Sequence, residues 1–210
     1  LSGRLVAMVG AGKVALRKVE TLLECGACIR VIAPEATSEL QQLARAGTVS
    51  WLARPFEPGD LDGCALVFAA TQNEEVNREV VREAHRRGLL INVVDVPDLC
   101  DFYVPSVLRR GPLAVTVSST GCSPAFSRRL SRKLGEQLHP SLGRYLELLA
   151  EARAEVRRRL PDDTERRMAL NSALVACGAR QLVEQGDIDG ARSALWQMID
   201  VGTGVPGARS

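Results

Sequence analysis

Leu5-Val-Ala-Met-Val9 followed by Gly10-Ala-Gly-Lys-Val-Ala15 is the stretch on which the reading of this chain turns. Five apolar residues predict a buried strand, and the G-x-G-x-x-A after it predicts a tight turn opening a helix. Gly10 makes the turn, Gly12 lets a pyrophosphate approach the backbone, and Ala15 lets helix and strand pack closely. Phosphate then rests on the helix N-terminus, where unpaired N–H groups and the helix dipole favour an anion. A plain tight turn is the bland alternative. The strand–turn–helix context favours dinucleotide binding.

Outward from this loop the pattern repeats. Gly26 closes the first helix near Cys25, and Cys28–Ala33 is the second strand. Ser38 caps a helix to Ala46, Val49–Leu52 is the third strand and Leu66–Ala70 the fourth. Glu74–Arg87 is a long helix and Leu89–Val94 the fifth strand. Regular alternation predicts an α/β fold, a Rossmann-type doubly wound parallel sheet with helices on both faces. The confirming acid at the tip of the second strand is displaced: the chain there reads Ile32-Ala-Pro-Glu35. Glu35 is placed to reach a ribose hydroxyl, and no Arg offers itself to a 2′-phosphate, so NAD is expected rather than NADP.

The rhythm changes after Asp95. Ser106–Arg109 and Leu113–Ser118, joined by Arg110-Gly-Pro112, predict a hairpin. Ser123-Pro124 caps a helix over Ala125–Leu138. Beyond Pro140 helices are expected over Leu142–Leu160, Thr164–Gln185 and Ile188–Val201. The domains expected are a dinucleotide-binding domain over 1–100, a hairpin-and-helix region over 101–140, a helical C-terminal unit over 141–201 and a disordered tail over 202–210.

Of the 210 residues 46% are apolar, which excludes wholesale disorder, and no apolar run is long enough for a membrane helix. Residue 1 is Leu, so a short N-terminal piece is expected to be missing. Six thinly spread cysteines fit reduced thiols in the cytoplasm better than a disulfide scaffold. Cys25-x-x-Cys28 lacks a second ligand pair, so buried packing is expected there and no metal site. His85, among arginines, reads as solvent-exposed, and His139 as a helix C-cap or a weak site candidate. Residues 101–160 carry eleven basic against five acidic side chains, which points to an anionic partner. Arg157-Arg-Arg159 alternates with acids and lacks interleaved aromatics, so nucleic acid is not the expected partner. Asp95, at the carboxyl edge of the predicted sheet, is a candidate general base or a mere turn former.

Taken in order, several segments resemble one family. They are Val9–Lys18, Ala69-Ala-Thr-Gln-Asn-Glu-Glu-Val-Asn77, Asn92-Val-Val-Asp95, Phe102-Tyr-Val-Pro-Ser106 and Val117-Ser-Ser-Thr-Gly-Cys-Ser-Pro124. Together they are similar to the precorrin-2 dehydrogenases of the sirohaem-synthase dehydrogenase/chelatase family, over roughly residues 1–140. The resemblance implies NAD⁺-dependent oxidation of precorrin-2 to sirohydrochlorin, with Asp95 as catalytic carboxylate. It implies cofactor contacts at Gly12, Lys13, Val14, Pro34 and Glu35, and Gly10, Ala33 and Thr71 are expected cofactor contacts beside them. Ser119 falls beside the family's tetrapyrrole pocket, with Asn92, Arg109, Arg128 and His139 as further substrate candidates. A homodimer pairing through the region after the nucleotide domain is implied as well. The alternatives are a bifunctional dehydrogenase that also inserts Fe²⁺, and a non-catalytic NAD- or tetrapyrrole-sensing protein.

Overall fold

The computed structural model describes residues 1–204, which fall into two compact units, Leu1–Val104 and a second beginning at Pro105. In the first unit β1 (Leu5–Val9), β2 (Cys28–Ile32), β3 (Ser50–Leu52), β4 (Leu66–Ala69) and β5 (Ile91–Val93) form one sheet in the order β3-β2-β1-β4-β5. Every pairing in it is parallel. Helices α1 (Lys13–Glu24), α2 (Ser38–Arg45) and α3 (Glu74–Arg86) supply the crossovers, with a 3₁₀ turn at Pro58–Leu61 between β3 and β4. The expected doubly wound sheet is the one observed.

Alternation along β1 explains why both faces are covered. Val6 and Met8 pack with Ala15, Val19 and Leu22 of α1 and Leu40 of α2, while Ala7 and Val9 pack with Val80 and Ala84 of α3. Register puts Val9 opposite both Ile32 and Ala69, so β1, β2 and β4 end together. Strand order reverses between β1 and β4, and at that point a doubly wound sheet opens its crevice.

The second unit opens with the antiparallel pair β6 (Ser106–Arg110) and β7 (Leu113–Val117), on which α4 (Pro124–Gln137) packs. Arg110 belongs to β6, so Gly111-Pro112 alone makes the turn. Helices α5 (Leu142–Arg159), α6 (Thr164–Ala176), α7 (Ala179–Glu184) and α8 (Ile188–Thr203) enclose Leu148, Ala152, Val156, Leu174, Val183, Leu195 and Ile199.

Four local expectations are corrected. Thr37, not Ser38, caps α2, its hydroxyl accepting from Leu40 N at 3.4 Å. The helix expected over Thr164–Gln185 is two, because Gly178 between them takes φ +79°. The expected tail boundary falls inside α8, and residues 205–210 lie outside the described ones. Cys28, the first residue of β2, is exposed rather than buried, whereas Ile32 farther along the same face is fully covered.

Candidate functional site

Gly10, Ala33, Ala70-Thr71 and Val94-Asp95 each follow directly the last residue of a sheet strand, so the register places them along one edge. Gly10 takes φ +105°, and a Cβ built there would lie 2.4 Å from the Ala70 carbonyl oxygen. No side chain fits that turn. At Gly12 the opposite holds: its backbone is ordinary, and an added Cβ would meet nothing within 4 Å. Helix α1 begins there with no side-chain cap and no acid in its first turn. An uncapped N-terminus beside a bare backbone is the cradle a pyrophosphate needs. Lys13 and Val14 stand exposed in that first turn.

After β2, Ala33 is buried, its carbonyl accepting from Trp51 Nε1 at 3.0 Å, while Pro34 and Glu35 are exposed. Thr71 is drawn into the start of α3. Its hydroxyl donates to Asn77 Oδ1 at 2.8 Å and accepts from Asn73 N at 3.2 Å. The Asn73 side chain in turn caps α3.

Asp95 is exposed, with φ +60°, on a turn closed by Val96 N donating to Val93 O at 3.4 Å. Asp tolerates this left-handed conformation better than most residues. Among the described residues its carboxylate accepts no hydrogen bond, so forming the turn does not occupy it. Asn92, by contrast, is buried and engaged by the protein itself. Its Nδ2 donates to Phe102 O at 2.9 Å, and its Oδ1 accepts from Lys18 Nζ at 3.3 Å.

Lys18 is the residue that the sequence reading passed over. It lies half-buried, its ammonium 5.2 Å from the centre of the Phe68 ring, and Phe68 meets Phe102 edge-on. Burial lowers its pKa, helped by Arg17, against the opposing pull of Cys100 and Asp95. The signal was present: Ala15, Val19 and Leu22 are the buried stripe of α1, and a lysine beside that stripe is out of pattern.

Ser119, Arg109, Arg128 and His139 all belong to the second unit. Ser119 Oγ accepts from Ser123 N at 3.0 Å and from the buried Ser127 hydroxyl at 3.0 Å, which organises the loop entering α4. Arg109 and Arg128 are exposed on β6 and α4. His139 Nδ1 lies 2.7 Å from Ser141 Oγ, so it tethers the start of α5 rather than closing α4. His85 is exposed as expected, but its Nε2 meets the Asp101 carboxylate at 3.0 Å.

A family model described as "Putative NAD(P)-binding" matches residues 1–106, the whole first unit. The chain belongs to this NAD(P)-binding family. That description, NAD(P) binding, fits the bare loop and uncapped helix of the first unit. Siroheme synthase of Photorhabdus laumondii subsp. laumondii is 40% identical over 200 residues, covering 95% of this chain and 42% of the relative. Siroheme synthase of Pseudomonas paraeruginosa is 43% identical over 168 residues, 80% of this chain and 36% of the relative. The chain thus spans less than half the length of these curated relatives. A solved structure, "SirC, precorrin-2 dehydrogenase", shares the fold of this NAD(P)-binding protein. It matches with TM-score 0.75 at 24% identity, covering 92% of this chain and 96% of the other. Among the described residues no helix is long and apolar enough to cross a membrane.

Proposed function

We propose that this chain is an NAD-dependent dehydrogenase that oxidises precorrin-2 to sirohydrochlorin. One observation carries the reading: an unoccupied carboxylate, Asp95, stands on the sheet edge that also bears the phosphate loop. Bound NAD supplies the hydride acceptor. Gly10 makes the tight turn against Ala70, Gly12 leaves the backbone open to the pyrophosphate, the α1 N–H groups offset its charge, and Glu35 takes a ribose hydroxyl. Oxidising a reduced tetrapyrrole removes a hydride and a proton, and Asp95 takes the proton as general base. The substrate is rich in carboxylates, and Ser119, Arg109, Arg128 and His139 are the groups of the second unit that we assign to it. Relatives named siroheme synthases support the substrate class. We place the enzyme in the cytoplasm as a homodimer, paired through the hairpin, which leaves Val107 and Ala114 on an exposed face.

The test is anaerobic incubation with precorrin-2 and NAD⁺, followed spectroscopically. Appearance of sirohydrochlorin is expected. A chain that binds NAD and leaves precorrin-2 untouched refutes the reading and favours a sensor. Adding Fe²⁺ or Co²⁺ to the product then tests the bifunctional alternative that the relatives' name suggests.

A further inference from the structure

We propose that Lys18 is a positioning residue for this oxidation, acting through Asn92 to hold the turn that carries Asp95; the inference rests on the reading of Asp95 as the base. Lys18 stands in the second turn of α1, and Asn92 is one residue short of the carboxyl end of β5. Among the described residues no carboxylate lies within ion-pair distance of the Lys18 ammonium. Its polar partner is the neutral Asn92 oxygen at 3.3 Å, and a ring face lies 5.2 Å away. Withdrawing an ammonium from water for so little is unfavourable, and an apolar side chain would fill the same place at lower cost. The return is orientation. With its oxygen held by Lys18, the Asn92 carboxamide must turn its N–H₂ toward Phe102 O, and this amide also lies 3.5 Å from the Cys100 sulfur.

Cys100 Sγ donates to Val93 O at 3.1 Å and lies 3.2 Å from Val93 N. Asp101 accepts from Ile91 N at 2.9 Å. The segment from Val94 to Cys100 is therefore a loop whose return end is bonded back onto β5, with Asp95 at its outer turn. Phe68 of β4 pairs with Asn92 across the sheet, carries the Lys18 ammonium over its ring and meets Phe102 edge-on, so α1 and β4 both touch the base of this loop. An error in the loop base is passed to the Asp95 carboxylate, and displacements of about 1 Å cost up to ~10²-fold in rate.

The experiment compares Lys18→Met, Lys18→Arg and Arg17→Met in the full chain. Arg17 is the exposed neighbour whose loss removes the same charge without touching Asn92. Lys18→Met is expected to lower kcat about tenfold or more. KM for the tetrapyrrole and Kd for NAD should stay within about twofold, and amide exchange over residues 94–101 should quicken. Lys18→Arg should recover part of kcat, and Arg17→Met should behave as the unaltered chain. In the Asp95→Ala background Lys18→Met should cost nothing further, since both act at one step. A Lys18→Met protein with full kcat beside a slow Asp95→Ala overturns this inference and leaves Asp95 as the base. Equal slowing in both backgrounds also overturns it, because Lys18 would then act independently. Full turnover by Asp95→Ala removes the base itself, and the inference with it. Should Lys18→Met not fold, Lys18→Gln is judged by the same criteria.

Discussion

At the scale of single residues, Gly10 and Gly12 look alike in the motif and differ in the structure. Gly10→Ala forces a Cβ against the Ala70 carbonyl at φ +105°, a cost of roughly 2–4 kcal/mol. It should lower the melting temperature and weaken NAD together. Gly12→Ala adds a methyl to open space, so the melting temperature should hold while NAD affinity falls at least about tenfold. Thermal melts and NAD titrations on both variants check this, and an unaffected NAD affinity in Gly12→Ala would remove the cradle. Asp95→Asn is the cleaner probe of the base, because Ala at φ +60° adds about 1 kcal/mol of backbone strain that Asn avoids. Single-turnover rates should fall by ~10² to 10⁴ with the fold intact. The glycine loop and Asp95 were legible because each sits at a strand end that apolar runs define. Lys18 was legible only as a lysine out of pattern beside the buried stripe of α1, since its meaning depends on Asn92, 74 residues away.

Elements carry their own test in acid. On α3, Arg86 and then Arg87 hold Glu83 down to about 2 from the ordinary 4.5. On α5, Arg158 and Arg159 do the same for Glu155, again to about 2. A carboxylate whose pKa is depressed by folding stabilises the fold fully above its unfolded value, and that support fades as pH falls through the folded one. Melting temperature should therefore drop as pH goes from about 4.5 to about 2. Glu83→Gln or Glu155→Gln should each flatten that drop, as scanning calorimetry across the range will read; an unchanged profile in both would dismiss these clusters. Element types were predictable because apolar period and caps are local. The break at Gly178 was not, because the apolar pattern runs through it and only the positive φ reveals two helices. The Thr37 cap was missed for a similar reason, since Thr37 and Ser38 are chemically equivalent and only chain direction chooses.

For the whole molecule, the expected mass in solution is twice 22.7 kDa. A two-stranded hairpin is marginal without cover, and β6 and β7 have α4 on one side only. Light scattering at micromolar concentration giving the mass of one chain would end the homodimer reading. The uncapped start of α1 has a further consequence, in the life of the chain between synthesis and degradation. A helix that lacks its cap forgoes about 1 kcal/mol until an anion arrives. NAD at about a hundred times its Kd adds about 2.7 kcal/mol by mass action. Chains short of nicotinamide would open more often and meet proteases sooner, so the abundance of this protein would follow the supply of its own coenzyme.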